Sequence, residues 1–121
     1  MLKKPYKLFF RTLANEQRLE IINSLRKSPK NVTQICKELG FNQTTVSHNL
    51  RRLKACSFVF NKKNGKERIY SLNKETIKPL MELIDRHTDK FCKLKWQKEK
   101  IAVLMAYAHP VIAAYASAQK G

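Results

Sequence analysis

Reactive side chains are few in this sequence, and their spacing gives little support for catalysis. The three cysteines, Cys36, Cys56 and Cys92, form no CxxC pair, and none has a histidine at zinc-finger spacing. Cys92 follows His87 by five residues, which places the two side chains on different sides of a helix. No glycine-rich phosphate loop occurs. We therefore predict no enzyme activity, no cofactor and no metal site, and we keep Cys92 as a possible redox-sensitive thiol.

A polar stretch after residue 42 carries side chains that can read DNA bases. Glutamine can form two hydrogen bonds with adenine, threonine methyl groups can contact thymine, and serine and histidine can donate or accept. A histidine alone on a helix is more often a surface or packing residue, so the interpretation of His48 depends on its polar neighbours. The predicted base-reading residues are Gln43, Thr44, Thr45, Ser47 and His48.

The charge of the chain points to a polyanionic partner. There are 25 lysines and arginines against nine acidic residues, which gives a formal net charge of +16. Such an excess attracts nucleic acid, and the binding should weaken with salt. Double-stranded DNA is the predicted partner, and an anionic membrane is the less favoured alternative. The predicted phosphate-holding residues are Arg51, Arg52, Lys62, Lys63, Lys66 and Arg68, although Lys62 and Lys63 could instead form a solvated hairpin tip.

Two short helices are needed to position the base-reading residues. Asn31 can cap the first helix with Gln34 at the capping-box position, and Gly40 can end it. Asn42 can cap the second helix, which continues to about Ala55. Its inward side chains would be Val46, Leu50 and Leu53. Two helices joined by so tight a turn form a helix-turn-helix.

A β-hairpin is predicted directly after the second helix. Residues 58–60 and 69–72 favour strands, and Asn64-Gly65 is a strong turn signal because both residues tolerate positive φ. Two further helices precede the motif, one over residues 6–13 and one from Asn15 to about Leu25. Their predicted buried side chains are Leu8, Phe9 and Leu13, then Leu19, Ile22 and Leu25. The fold class is mainly α with a small β-hairpin, a winged helix-turn-helix over residues 1–73.

A long helix over residues 74–100 would complete the fold and carry the dimer contact. Apolar residues recur along it at steps of three and four, so a second copy could cover the stripe. The alternative is that the stripe packs only on its own domain. The predicted dimer interface consists of Leu8, Phe9, Ile77, Leu80, Met81, Ile84, Phe91 and Leu94.

The stretch over residues 101–121 has an uncertain role. It is rich in alanine, nearly uncharged, and contains Pro110, which would kink a helix. Three interpretations remain open: an extension that packs on the dimer, a membrane-docking or partner-docking helix, and a tail.

Three sequence segments together resemble the ArsR/SmtB family of winged-helix repressors, and the resemblance covers roughly Phe9 to Phe91. The segments are Leu13-Ala14-Asn15 with Arg18-Leu19 and Ile22, Asn42 to Leu50 with Leu53-Lys54, and Lys62 to Lys66 continuing through Ile69-Tyr70-Ser71-Leu72. The resemblance implies a homodimer on an imperfect inverted repeat, usually at its own promoter, that an effector releases. Asn42 and Asn49 stand where the family usually has serine and histidine.

The metal sites of the family are not preserved here. Asn31-Val32-Thr33 stands in place of a Cys-Val-Cys triplet and has no thiolate. The resemblance places a second zinc site at Lys74, Thr76, His87 and Lys90, where only His87 is a ligand type. Two lysines in such a site would repel a cation.

The sequence therefore predicts a cytoplasmic, nucleoid-associated homodimer that represses transcription by occupying a promoter. The alternatives are an architectural protein that coats DNA with little sequence preference and a regulator tethered to a membrane by its C-terminal helix.

Overall fold

A computed structural model describes residues 1–92, which form five α-helices, one hairpin and a final π-helical turn. The helices are α1 Lys4–Leu13, α2 Glu16–Lys27, α3 Val32–Leu39, α4 Gln43–Ala55 and α5 Ile77–His87, the strands are β1 Val59–Asn64 and β2 Glu67–Leu72, and the π-helical turn is Thr88–Cys92. The chain divides into two compact units at Leu80, and the winged helix lies within the first. Leu94 and the 101–121 extension lie outside the described residues.

Asparagine caps set the start of three successive helices, as the sequence predicts. The side chain of Asn15 accepts from the N–H of Arg18 at 3.0 Å. Asn31 and Gln34 form a reciprocal capping box, in which each side chain accepts from the other residue's N–H at 2.8 Å. Gly40 ends α3 with φ of +71°, which glycine adopts without strain. The turn into α4 is therefore fixed by local chemistry at both ends.

The core lies between α2, α3, α4 and β1. Its fully buried side chains are Ile21, Ile22, Ile35, Val46, Leu50, Leu53, Phe58 and Val59. The ring of Phe9 lies 4.9 Å from that of Phe58 and attaches α1 to this core. Two predictions of burial are wrong, because Leu8 is 45% exposed and Leu19 is 37% exposed. In α2 the inward face is instead set by Ile21, Ile22 and Leu25.

The hairpin is longer than predicted, and its turn lies one residue later. Asn64 pairs with Glu67 across the strands, so the connecting residues are Gly65 and Lys66. Asn64 stays extended, and the positive φ is found at Gly65, at +66°. Lys30 adds a third chain segment to the sheet through two backbone hydrogen bonds with Tyr70, at 3.0 and 2.8 Å. The hairpin is thereby held against the segment that leads into α3.

A left-handed residue ends α4. The N–H of Ser57 donates to the carbonyl of Lys54 and that of Phe58 donates to the carbonyl of Leu53, both at 2.9 Å. This is the Schellman pattern, in which the residue after the C-cap adopts positive φ. Ser57 takes that position with φ of +58°. The chain can thus turn directly from the end of α4 into β1.

The last described helix begins and ends differently from the prediction. Asn73 accepts from the N–H groups of Glu75 and Thr76 at 3.0 and 3.3 Å, so a capped turn occupies residues 74–76 and α5 begins at Ile77. After His87 the α-helical pattern gives way to a π-helical turn over Thr88–Cys92. The α-helical geometry predicted for residues 74–100 is therefore interrupted at Thr88, and residues 93–100 lie outside the described part of the chain.

Candidate nucleic-acid interface

The outward side of α4 carries the predicted base-reading side chains. The side chain of Asn42 accepts from the N–H of Thr45 at 2.8 Å and starts the helix at Gln43. Because Val46, Leu50 and Leu53 are buried, helical periodicity turns the other side of α4 to solvent. Gln43, Thr44 and His48 are exposed, and Thr45 and Ser47 are half-buried.

Ser47 shares one groove with basic residues of the wing. The groove has a volume of about 380 Å³ and is lined by the start of α3, Ser47 of α4, and the β2 side of the hairpin. Lys66, Arg68 and Tyr70 line the hairpin side, together with Glu67. The fold therefore brings a predicted base-reading residue and two predicted phosphate-holding residues to one concave surface, which we call the helix–wing groove.

The four predicted wing cations do not act as one group. Lys66 and Arg68 line the helix–wing groove, whereas Lys62 and Lys63 line a different groove. Lys62 pairs with Ile69 across the strands, and Lys63 pairs with Arg68. Neighbouring residues of a strand face opposite sides of a sheet, so Lys62 shares the face of its partner Ile69 and Lys63 shares the face of its partner Arg68.

A buried polar network fixes α4 against α2. Asn49 lies on the inner side of α4 and is 4% exposed. Its Nδ2 donates to the carbonyl of Thr45 at 2.9 Å and to Oε1 of Gln17 at 3.3 Å. Nη1 of Arg18 donates to Oδ1 of Asn49 at 3.3 Å, and Nε of Arg18 donates to the carbonyl of Thr12 at 2.7 Å. The orientation of the exposed side of α4 therefore depends on partners in α1 and α2.

Positive charge is concentrated beside this network. Arg51 and Arg52 are both exposed on α4. Burial, together with the nearby Arg52 guanidinium, lowers the pKa of Arg18 from its ordinary value, and the Cys56 thiol opposes that shift. The guanidinium groups of Arg18 and Arg52 repel each other and create a positive potential, and a bound phosphate would reduce this repulsion.

The sequence did not predict the positioning pair Arg18 and Asn49 as a functional feature. Arg18 is recognisable in the sequence only as part of a family segment, and Asn49 only as a departure from the family's histidine. A signal was present, because Asn49 follows Val46 by three residues and precedes Leu53 by four, which places it on the buried stripe. A polar residue on that stripe needs a hydrogen-bonding partner.

The other candidate chemistry finds little support in residues 1–92. They contain no cluster of three or more His, Cys, Asp or Glu side chains that could hold a metal ion. Cys36, Cys56 and Cys92 are free and half-buried. The thiol of Cys56 lies 3.5 Å from the hydroxyl of Thr12. In the same part of the chain no helix has the length and apolar character to cross a membrane.

The helix-turn-helix, its exposed second helix and the adjoining hairpin define a winged helix-turn-helix protein. Residues 15–59 match the family described as "Bacterial regulatory protein, arsR family". These residues are therefore similar to the helix-turn-helix domain of that family.

Two curated relatives and one solved structure are also similar to this chain. The chain is 32% identical over 77 residues to the HTH-type transcriptional regulator NmtR of Mycobacterium tuberculosis, a match that covers 64% of each protein. It is 35% identical over 66 residues to the uncharacterized HTH-type transcriptional regulator MJ1398 of Methanocaldococcus jannaschii, covering 54% of this chain and 17% of the relative. The chain thus spans less than two thirds of either relative.

One similar solved structure is the homodimeric winged helix-turn-helix DNA-binding domain of Mb0332 from Mycobacterium bovis, described as a possible ArsR-family transcriptional regulator. It shares 29% identity with this chain at a TM-score of 0.67, and the match covers 71% of this chain and 80% of that one.

Proposed function

We propose that this protein is a sequence-specific DNA-binding transcriptional regulator. The observation that carries the proposal is the helix–wing groove, in which Ser47 lies with Lys66 and Arg68. A recognition helix reads base edges in the major groove, and a basic hairpin beside it can hold the flanking phosphates. The base-reading residues are Gln43, Thr44, Thr45, Ser47 and His48, and the backbone contacts come from Arg51, Arg52, Lys62, Lys63, Lys66 and Arg68.

The regulator acts as a homodimer. Leu8 on α1 and Phe91 in the π-helical turn are 45% and 52% exposed in one copy, so both can be buried by a partner. Phe9, Leu80 and Ile84 are half-buried and retain area for the same contact. Ile77 and Met81 are already buried, which leaves them little area to contribute. Leu94 belongs to the same proposed interface.

The regulatory output is repression, by occupation of a promoter in the cytoplasm, where the protein associates with the nucleoid. It has no catalytic role and needs no resident metal or cofactor for DNA binding. The resemblance places one metal site at Asn31, Val32 and Thr33, which have no thiolate, and a second at Lys74, Thr76, His87 and Lys90. Lysine ammonium groups do not ligate a cation.

Competition binding tests this proposal. The full chain is titrated onto DNA from upstream of its own gene, with random duplex DNA of equal length as competitor, across a salt series and with or without reductant. A specific regulator prefers the upstream DNA by about a thousandfold or more. Equal affinity at every salt concentration, with the same steep salt slope for both, would instead identify an architectural DNA-coating protein.

A further inference from the structure

A second groove lies on the opposite side of the hairpin from Ser47. Strand alternation places Tyr70 and Arg68 on the side of the helix–wing groove and Ser71 and Ile69 on the other side. Cross-strand pairing puts Phe60 beside Ser71 and Lys62 beside Ile69. This groove has a volume of about 750 Å³ and is lined by Phe60, which is 48% exposed. A ligand there would not compete with DNA for Ser47.

The groove adjoins a smaller basic pocket of about 140 Å³. The pocket lies between the end of α2, the end of β2 and the start of α5, and it shares Ser71 and Lys74 with the groove. Its basic lining residues are Arg26, Lys27, Lys74 and Lys78. All of them belong to the first compact unit.

The positive charge of this pocket is only partly compensated. Lys27 pairs with Glu38 at 3.0 Å. Lys74 and Lys78 form no ion pair with any residue from 1 to 92. Glu75 is the one acidic residue that lines either cavity in this region. Several cations around one small cavity repel each other, so an anion that enters it is stabilised by all of them.

We propose that this pocket binds the phosphate group of a small organic phosphate. A phosphate monoester carries between one and two negative charges at pH 7, which suits the two lysines without an ion pair. A pocket of 140 Å³ is large enough for one such group. A duplex backbone, by contrast, presents a convex row of phosphates to a protein surface.

The organic part of the ligand lies on the adjoining groove. Ser71 stands at the junction of the two cavities, where its hydroxyl can donate to a phosphate oxygen. Paired side chains on one face of a hairpin have Cβ atoms about 5 Å apart, so an ester group leaving the phosphate at Ser71 meets the ring of Phe60. The ligand class is therefore a phosphate ester with an aromatic or apolar body.

Titration of the full chain with phenyl phosphate and with inorganic phosphate, in the absence of DNA, tests the proposal. The double variant Lys74→Gln/Lys78→Gln should weaken both probes about tenfold, because charge-assisted hydrogen bonds are lost. The control Lys3→Gln/Lys37→Gln removes the same charge from exposed positions outside both cavities and should leave binding unchanged. Phe60→Ala should weaken phenyl phosphate only.

Three outcomes would overturn the proposal. First, wild-type protein could bind neither phenyl phosphate nor inorganic phosphate. Second, both double variants could weaken binding equally, which would show that only the net charge of the protein matters. Third, wild-type protein could fail to bind phenyl phosphate, while Lys74→Gln/Lys78→Gln loses more affinity for random duplex DNA than the control double variant does. That result would assign the two lysines to DNA phosphates. Equal urea midpoints for all variants establish that each is folded. None of these results depends on whether the protein prefers its own upstream DNA.

Discussion

The guanidinium of Arg18 donates to the buried side-chain oxygen of Asn49 at 3.3 Å, and this bond joins α2 to the inner side of the recognition helix α4. Asn49 is 4% exposed and has further partners in Gln17 and the carbonyl of Thr45. The exposed residues of α4 are consequently oriented by side chains of α2 that contact the inner side of the helix.

Asn49→Ala should destabilise the fold and weaken specific DNA binding together. Removal of the amide leaves Arg18 and Gln17 without their partner, which costs about 1–3 kcal/mol. Urea unfolding measures the loss, and DNA titration under folded conditions measures the loss of affinity. Asn23→Ala, on the exposed side of α2, is the matched control and should change neither. Wild-type stability in Asn49→Ala would show that the network does not hold α4.

Ser57→Gly should stabilise the protein. Ser57 adopts φ of +58°, and a left-handed residue with a Cβ costs about 1–2 kcal/mol that glycine avoids. The greater freedom of glycine in the unfolded chain offsets part of this gain, so we expect a net increase of about 0.5–1 kcal/mol in the free energy of unfolding.

The control for this prediction is Ser28→Gly. Ser28 also follows a helix, but its φ of −169° is extended backbone that any residue adopts. Glycine should therefore bring no gain there. A decrease in stability in Ser57→Gly, measured by the same urea titration, would contradict the strain that we assign to this turn.

Gln43→Ala and Lys66→Ala should separate sequence reading from phosphate binding. Loss of a bidentate base contact costs about 1–3 kcal/mol of discrimination, so Gln43→Ala should bind upstream DNA less tightly and random DNA almost as before. Lys66→Ala should weaken both DNAs evenly and reduce the salt slope by about one. Equal losses on both DNAs in both variants would refute this division.

Lys62→Ala tests the two sides of the wing. The sequence alone predicts that Lys62 holds the DNA backbone as Lys66 does. In the structure Lys62 pairs with Ile69 and lines the groove on the other side of the hairpin, so we expect a smaller loss of DNA affinity than in Lys66→Ala. A larger loss in Lys62→Ala would mean that DNA approaches the wing from that side.

Stability should fall in acid partly through Glu38. The carboxylate accepts from Ser24 of α2 and from Lys27 at 3.0 Å, and these bonds lower its pKa below the ordinary 4.5, with Lys30 adding to the effect. A lowered carboxyl pKa contributes stability that is present above the unfolded value and is lost as pH falls through the folded value.

The corresponding measurement is urea unfolding between pH 6 and pH 3. Because Glu38 is on the surface, its contribution should be no more than about 1 kcal/mol. Glu38→Gln should flatten the decline below about pH 4.5. An unchanged acid slope in that variant would show that the contact is not formed in solution.

Local patterns predicted the order of the elements, the helix caps and the exposed face of α4, because each depends on residues close in sequence. Asn31 with Gln34, Gly40, and Asn42 are examples. The turn position was missed because strand register decides it: pairing of Asn64 with Glu67 keeps Asn64 extended.

The side chains that the sequence misplaced depend on contacts between distant segments. Leu19 fits the apolar spacing of α2 yet is 37% exposed, because Ile21 and Ile22 face the other helices. The bond between Arg18 and Asn49 spans 31 residues, so no short-range pattern reveals it. The separation of Lys66 from Lys62 likewise depends on how the hairpin packs against α3 and α4.

The most direct test of the central claim is to map DNA binding onto the protein by NMR, using backbone amide shifts of the full chain with upstream duplex DNA. We expect the largest changes at Gln43, Thr44 and Ser47 on α4 and at Lys66 and Arg68 on the wing. Changes confined to α1, or spread evenly over all lysines and arginines, would contradict the helix–wing groove as the DNA-binding surface.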